Sequence, residues 1–233
     1  MATTTTIRPA LPLRWAGRLL VAALCVGMLG GCQIFGVAAI VAKTIDDARP
    51  KRVFAEYTGL EGKSYGLLIA ADMSIQAETP GVVAELTSRV MQRLVQNNDK
   101  IKATAVLDPA DAMLYQVRNP SWQFVPGEEL ASDLGGLDRI IIIEIDGFRL
   151  REPGNRYLWD GESIANVTVT EIDRGFAIEQ AFSRTIRVTF PDSSGYSSED
   201  LSALQVQSVL IQRLSDRIAW LFFDHEEPSD IRY

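Results

Sequence analysis

The chain has 233 residues, with 23 Lys plus Arg against 30 Asp plus Glu and a formal net charge of −7. That acidic balance argues against nucleic acid as a main partner, because nucleic-acid surfaces need clustered positive charge. Its two cysteines, Cys25 and Cys32, both lie near the amino terminus, so no disulfide framework is available and stability has to come from a packed core.

The first segment reads as a secretory leader. Arg8, Arg14 and Arg18 supply positive charge, residues 19–28 are apolar, and small residues precede Cys32. The tetrapeptide Leu29-Gly30-Gly31-Cys32 resembles the lipobox of bacterial lipoproteins. The resemblance implies cleavage between Gly31 and Cys32, a diacylglyceryl group on the Cys32 sulfur and acylation of the new amino terminus. Residues 1–31 are then the signal peptide. Its loss removes three arginines and no acid, leaving 20 basic against 30 acidic residues, a net charge of −10. Gln33 after the cysteine, in place of Asp, is similar to one bacterial signal for the outer membrane, facing the periplasm. A rival reading stands beside it. The apolar run resumes at Ile34, and residues 19–42 exceed the roughly 20 residues needed for an uncut spanning helix, which gives a single-span inner-membrane anchor. Both readings place the remainder in the cell envelope.

Residues 32–62 are expected to be the lipidated amino terminus and a tether, with Pro50 opposing helix continuation. Residues 63–233 are expected to form a single domain. Ser64 to Ala71 is a short apolar run bounded by Gly62 and Asp72, a strand buried on both faces. Pro80 opens a helix with Val83, Leu86, Val90 and Leu94 on one side, closed by Asn97-Asn98. A second strand follows over 102–107. Asp108-Pro109 caps a short helix through Met113, Leu114 and Val117, and Asn119-Pro120 ends it. After the aromatic connection 121–126, Gly127 to Leu134 is a small acidic helix stopped by Gly135-Gly136.

Arg139 to Ile145, with four consecutive isoleucines, predicts a central strand covered on both faces. Two further strands, 158–172 and 176–190, form a hairpin around Asp173-Arg174-Gly175. Ser198 with Glu199 and Asp200 predicts the start of a last helix whose stripe is Leu201, Leu204, Ile211, Leu214, Ile218, Leu221 and Phe222. The order β-α-β-α-β-β-β-α is one α/β (α+β) domain with a mixed sheet packed by helices.

That order, with Glu128 to Gly135 feeding the strand Asp138 to Ile145, resembles a recurring envelope domain. It is similar to the curli-secretion-channel lipoprotein group, the amino-terminal domain of the Tol-system propeller protein, and lipoproteins that activate cell-wall synthases. The resemblance implies a non-enzymatic part of an envelope machine that binds a protein partner or oligomerises.

Candidate chemistry is sparse. His225 is the sole histidine, in Asp224-His225-Glu226-Glu227. Without zinc-motif spacing it reads as a solvated helix end rather than a metal ligand. Glu144, Asp146, Asp160 and Glu162 are the carboxylates with which an envelope glycan hydrolase would work, if two of them faced one cleft. No catalytic motif, cofactor pattern or metal motif is found, so no cofactor or metal is expected. Trp122 and Phe124 are the candidate partner-binding residues, because they are aromatic and sit in a connection.

Overall fold

A computed structural model describes residues 51–193 and 195–227 of the chain. The leader, Cys32 and the rival span over 19–42 lie outside the described residues. Among the described residues no helix is long and apolar enough to cross a membrane.

Five strands form the main sheet in the order β3-β2-β4-β5-β6. β2 (Ser64–Ala71) runs parallel to β3 (Ala105–Val106) on one side and to β4 (Arg139–Arg149) on the other. β5 (Gly161–Asp173) pairs antiparallel with β4, and β6 (Phe176–Phe190) pairs antiparallel with β5. Between them, Arg174 (φ 50) and Gly175 (φ 83) both adopt positive φ, as a tight hairpin turn that matches strand twist requires. The mixed α/β expectation therefore matches the structure, with a parallel first half and a meander in the second.

Helices cover the two faces unequally. α1 (Met73–Glu78), α2 (Val82–Gln96) and α3 (Asn98–Ile101) connect β2 to β3, while α4 (Pro109–Arg118) and α5 (Gly127–Asp133) connect β3 to β4. α6 (Ala203–Ala219) follows β6. Leu67, Ile69, Ile141, Ile143, Ala165, Val167 and Val169 meet α2 and α6 in the main core. On the opposite face, Leu68 and Ile140 meet Ala112 of α4, Trp122, and Leu130 and Ala131 of α5. Burial along β5 alternates with period 2 up to Val169, with Ala165, Val167 and Val169 in the core and Ile164, Asn166 and Thr168 half-buried on the other face, until a register shift between Val169 and Glu171 breaks it.

Three expectations need correction. Residues 51–62, assigned to the tether, are part of the fold, because β1 (Lys51–Val53) pairs with β7 (His225–Glu227) and Tyr57 and Leu60 are core residues. Tyr57 is held by its N–H to the Leu221 carbonyl at 2.9 Å and by its hydroxyl to Glu171 at 2.9 Å. The strand predicted over 102–107 shrinks to two residues. The last helix begins at Ser202 instead of Ser198, and Leu204 is exposed. A reciprocal capping box between Ser202 and Gln205 sets that start, while Ser197 is engaged with Asp200 in the turn before it.

Candidate functional site

β2 organises the candidate site. Its amino end carries the chain's entry, and its carboxyl end, about 23 Å away for eight extended residues, carries a crevice. α2 and α4 lie on opposite faces of β2, since the odd residues of the strand belong to one core and Leu68 to the other. Where helices diverge in this way, an open α/β sheet leaves a cleft beyond the strand ends.

This crevice has a volume of about 690 Å³. The end of β2 forms its floor, and its walls come from α1 and α2 on one side and from α4 and the turn Trp122–Phe124 on the other. Met73, Val83, Met113, Val117 and Trp122 give it an apolar lining. Its polar groups are glutamines. Gln76 donates its side-chain N–H to the Ala71 carbonyl at 2.8 Å, and Gln116 donates to the Ile69 carbonyl at 2.8 Å. β3 pairs only with Ser64 and Tyr65, and higher on β2 the side chain of Gln116 serves Ile69.

The two aromatic candidates separate. Trp122 is 5% exposed and packs with Leu130, Leu134 and Ile140, presenting part of its ring to the crevice. Phe124, two residues on, is 87% exposed. A shared exposed aromatic surface is therefore replaced by one wall residue and one surface residue. The sequence did not mark Met73 or Val83 as lining, and it marked Met113, Leu114 and Val117 only as residues of a short helix. Ala112 is the buried residue of α4, because that helix rests its Ala112–Tyr115 side on β2, and Val117 is left 77% exposed. An apolar residue standing off the alanine face of a short helix was the signal available in the sequence.

A second crevice, of about 700 Å³, lies at the amino end of β2 and is lined by Arg52, Leu60, Lys100, Phe222, Asp224 and His225, among others. His225 is not a solvated helix end. It sits in β7 with its side chain 7% exposed, stacks on Trp220 at 4.5 Å with an interplanar angle of 8°, and places Nδ1 3.2 Å from the Phe223 carbonyl. Of its acidic neighbours, Asp224 accepts from the Ala55 N–H and pairs with Arg52, while Glu227 pairs with Arg217 and places the same carboxylate oxygen 3.6 Å from His225 Nε2. Among the described residues no group of three or more His, Cys, Asp or Glu is placed to hold a metal ion.

The four strand carboxylates do not converge. Glu144, Asp146 and Asp160 are exposed, and Glu162 is paired with both Arg149 and Arg187. Burial pushes the Glu162 carboxyl up, but the two guanidiniums outweigh it and hold the group below its ordinary value, opposite to what a general acid needs. None of the four lines either large crevice.

No protein-family model matches the chain, and no curated protein matches it in sequence. Among solved structures it is similar to the hypothetical protein CT253 from Chlamydia trachomatis, with 14% identity and a TM-score of 0.41 over 66% of this chain and 96% of that one. It is also similar to PelC from Paraburkholderia phytofirmans, solved as a dodecamer, with 14% identity and a TM-score of 0.40 over 75% of this chain and 97% of that one. A third is lipoprotein GNA1162 from Neisseria meningitidis, with 12% identity and a TM-score of 0.40 over 67% of this chain and 97% of that one.

Proposed function

We propose that this chain is a lipoprotein of the bacterial cell envelope, anchored through Cys32, whose α/β domain is a non-catalytic binding or assembly accessory for another envelope protein. The observation that carries this reading is the order of parts: a basic and apolar leader, Leu29-Gly30-Gly31-Cys32, a tether that ends by Lys51, and then a folded domain. β1 begins at Lys51, so the anchor side of the chain enters at the amino end of β2. The carboxyl end, with its apolar crevice, is left to face away from that entry. The pairing of Glu162 with two arginines and the exposure of Glu144, Asp146 and Asp160 support a non-catalytic role over glycan hydrolysis. Phe124 is the exposed aromatic anchor that a partner would cover.

Cys32→Ala, followed by fractionation of cells, tests the anchor. Release of the domain from membranes is expected, and full retention would favour the uncut span over 19–42. A pull-down from solubilised envelope with the wild-type chain and with Phe124→Ala tests the partner. A specific protein retained by the first and lost from the second is expected, and no specific capture by the wild type would remove the accessory reading. A structural oligomer is the second reading, favoured by β6, whose fifteen residues form one edge of the main sheet. Sedimentation of the chain separates it from the first.

A further inference from the structure

We infer that the crevice beyond the carboxyl end of β2 binds the acyl chain of an uncharged single-chain lipid whose neutral head carries a hydroxyl or amide donor. This goes beyond the partner-binding reading and does not rest on it.

The inference begins with charge. Of the fifteen residues around the crevice none is Asp, Glu, Lys or Arg, although 23% of the chain is charged. A carboxylate or phosphate drawn inside would have no cation to meet it, and an ammonium would have no anion. Burying such an unpaired charge is costly, so the complementary occupant is neutral.

Shape and surface narrow the class. A volume of about 690 Å³ lies within the range of small-molecule sites, roughly 300–1,000 Å³. The walls are mostly aliphatic, and Trp122 is the one aromatic among them, so a flexible chain matches the surface better than a stacked ring does. Met73 and Met113 add unbranched thioethers that can shape themselves to a chain. Met73 on α1 is 86% exposed, and Val117 stands exposed on α4, so large apolar side chains lie uncovered on both sides of the opening.

The polar groups fix which head is accepted. Gln76 and Gln116 each spend one side-chain N–H on a β2 carbonyl, which orients both amides and leaves on each an Oε1 acceptor and a second N–H, with the Gln123 amide also on the lining. A hydroxyl or amide N–H on the ligand satisfies such acceptors. An ionised carboxylate head offers no donor to the Oε1 acceptors and meets no cation on the lining.

The test uses the full chain in phosphatidylcholine nanodiscs and two photoreactive probes with the same diazirine-bearing acyl chain, one a monoacylglycerol and the other the free fatty acid at pH 8. Labelled sites are mapped by mass spectrometry. The monoacylglycerol probe is expected to label the segments containing Met73, Met113 and Val117 saturably, to be displaced by unlabelled 1-monododecanoylglycerol, and to exceed the fatty-acid probe at least tenfold. Ala84→Arg places a guanidinium at an exposed lining position and should cut crevice labelling at least tenfold. Val117→Lys does the same from the opposite wall, so the loss does not depend on one variant folding. Gln92→Arg, on α2 but outside the lining, should leave labelling unchanged. Labelling that never saturates, that is equal for the two probes, or that survives both crevice variants would overturn the inference. So would an unlabelled crevice, which would point to a polypeptide occupant. Partner capture by the pull-down can succeed or fail in each of these cases, so the two readings fail separately.

Discussion

At the scale of single residues, a few polar side chains join elements that are distant in sequence. Asp138 accepts from both the backbone N–H and the hydroxyl of Ser64 at 2.8 Å, and the Ser64 hydroxyl accepts in turn from the Asp138 N–H at 3.0 Å. This pair locks the starts of the parallel strands β2 and β4, and the Ser64 backbone N–H is the main reason that the Asp138 carboxyl lies below its ordinary value. Asp138→Ala is expected to lower unfolding free energy by about 2 kcal/mol, since hydrogen bonds to charged groups contribute about 1.5–3 kcal/mol. Urea denaturation measures it, and a loss within error of zero would remove the lock. Asp216 of α6 has the opposite sign. Burial raises its pKa, and Arg93 at 2.7 Å offsets only part of that rise. A carboxyl whose folded pKa is raised binds its proton more tightly in the native state, so its contribution is most favourable at low pH and is lost as pH rises through the folded pKa. Asp216→Asn should therefore be at least as stable as wild type at pH 7, with the advantage gone below the ordinary aspartate value of about 3.9. Paired denaturation curves at pH 7 and pH 3 check this, and a variant markedly weaker at pH 7 alone would contradict it. Neither role was legible in the sequence, where Asp138 and Asp216 are two of 30 acids, because burial and partner choice arise only when distant segments meet.

At the scale of elements, pattern and propensity specified type well and boundaries less well. The four consecutive isoleucines of β4 marked a strand because an unbroken β-branched run suits a strand covered on both faces, and the turn residues Asp173-Arg174-Gly175 marked the β5–β6 hairpin. α6 was also visible, but its start was misplaced. Ser198 with Glu199 and Asp200 and Ser202 with Gln205 both carry start signals, and the second acquires the reciprocal bonds, with Ser202 accepting from the Gln205 N–H at 3.3 Å and the Gln205 side chain accepting from the Ser202 N–H at 2.8 Å. Ser202→Ala is expected to cost about 1 kcal/mol and to fray the first turn, read by hydrogen exchange at residues 203–206. Unchanged protection there would show that packing of Val206 alone sets the start. Val206 packs close to Gly161 of β5, where an added Cβ would sit 2.8 Å from Leu210 Cδ1 and 2.8 Å from the Phe190 carbonyl oxygen. That glycine lets the top of α6 approach the sheet, which no periodicity reports.

At the scale of the whole molecule, the two ends of β2 carry different crevices. β1 and β7 form a two-stranded ribbon, with Val53 opposite His225 and His225 stacked on Trp220. His225→Gly should loosen this ribbon while sparing the main core, so tryptic cleavage after Lys51 or Arg52 should accelerate on the order of tenfold through local opening with the melting midpoint nearly unchanged. A fall in the midpoint matching the gain in cleavage would mean that the ribbon is part of the global fold. The sequence by itself determined the acidic balance, the α/β class and the order of the main elements. Each is carried by local residue type or by a period within one segment, so each survives without knowledge of any long-range contact. The tertiary structure alone decided that residues 51–53 pair with His225–Glu227, that His225 is buried, that Trp122 and Phe124 part company, that Glu162 is held by two arginines, and that uncharged residues from α1, α2, β2 and α4 meet in one crevice. Those outcomes depend on which faces meet across the sheet, and burial and charge pairing exist only once distant segments have come into contact.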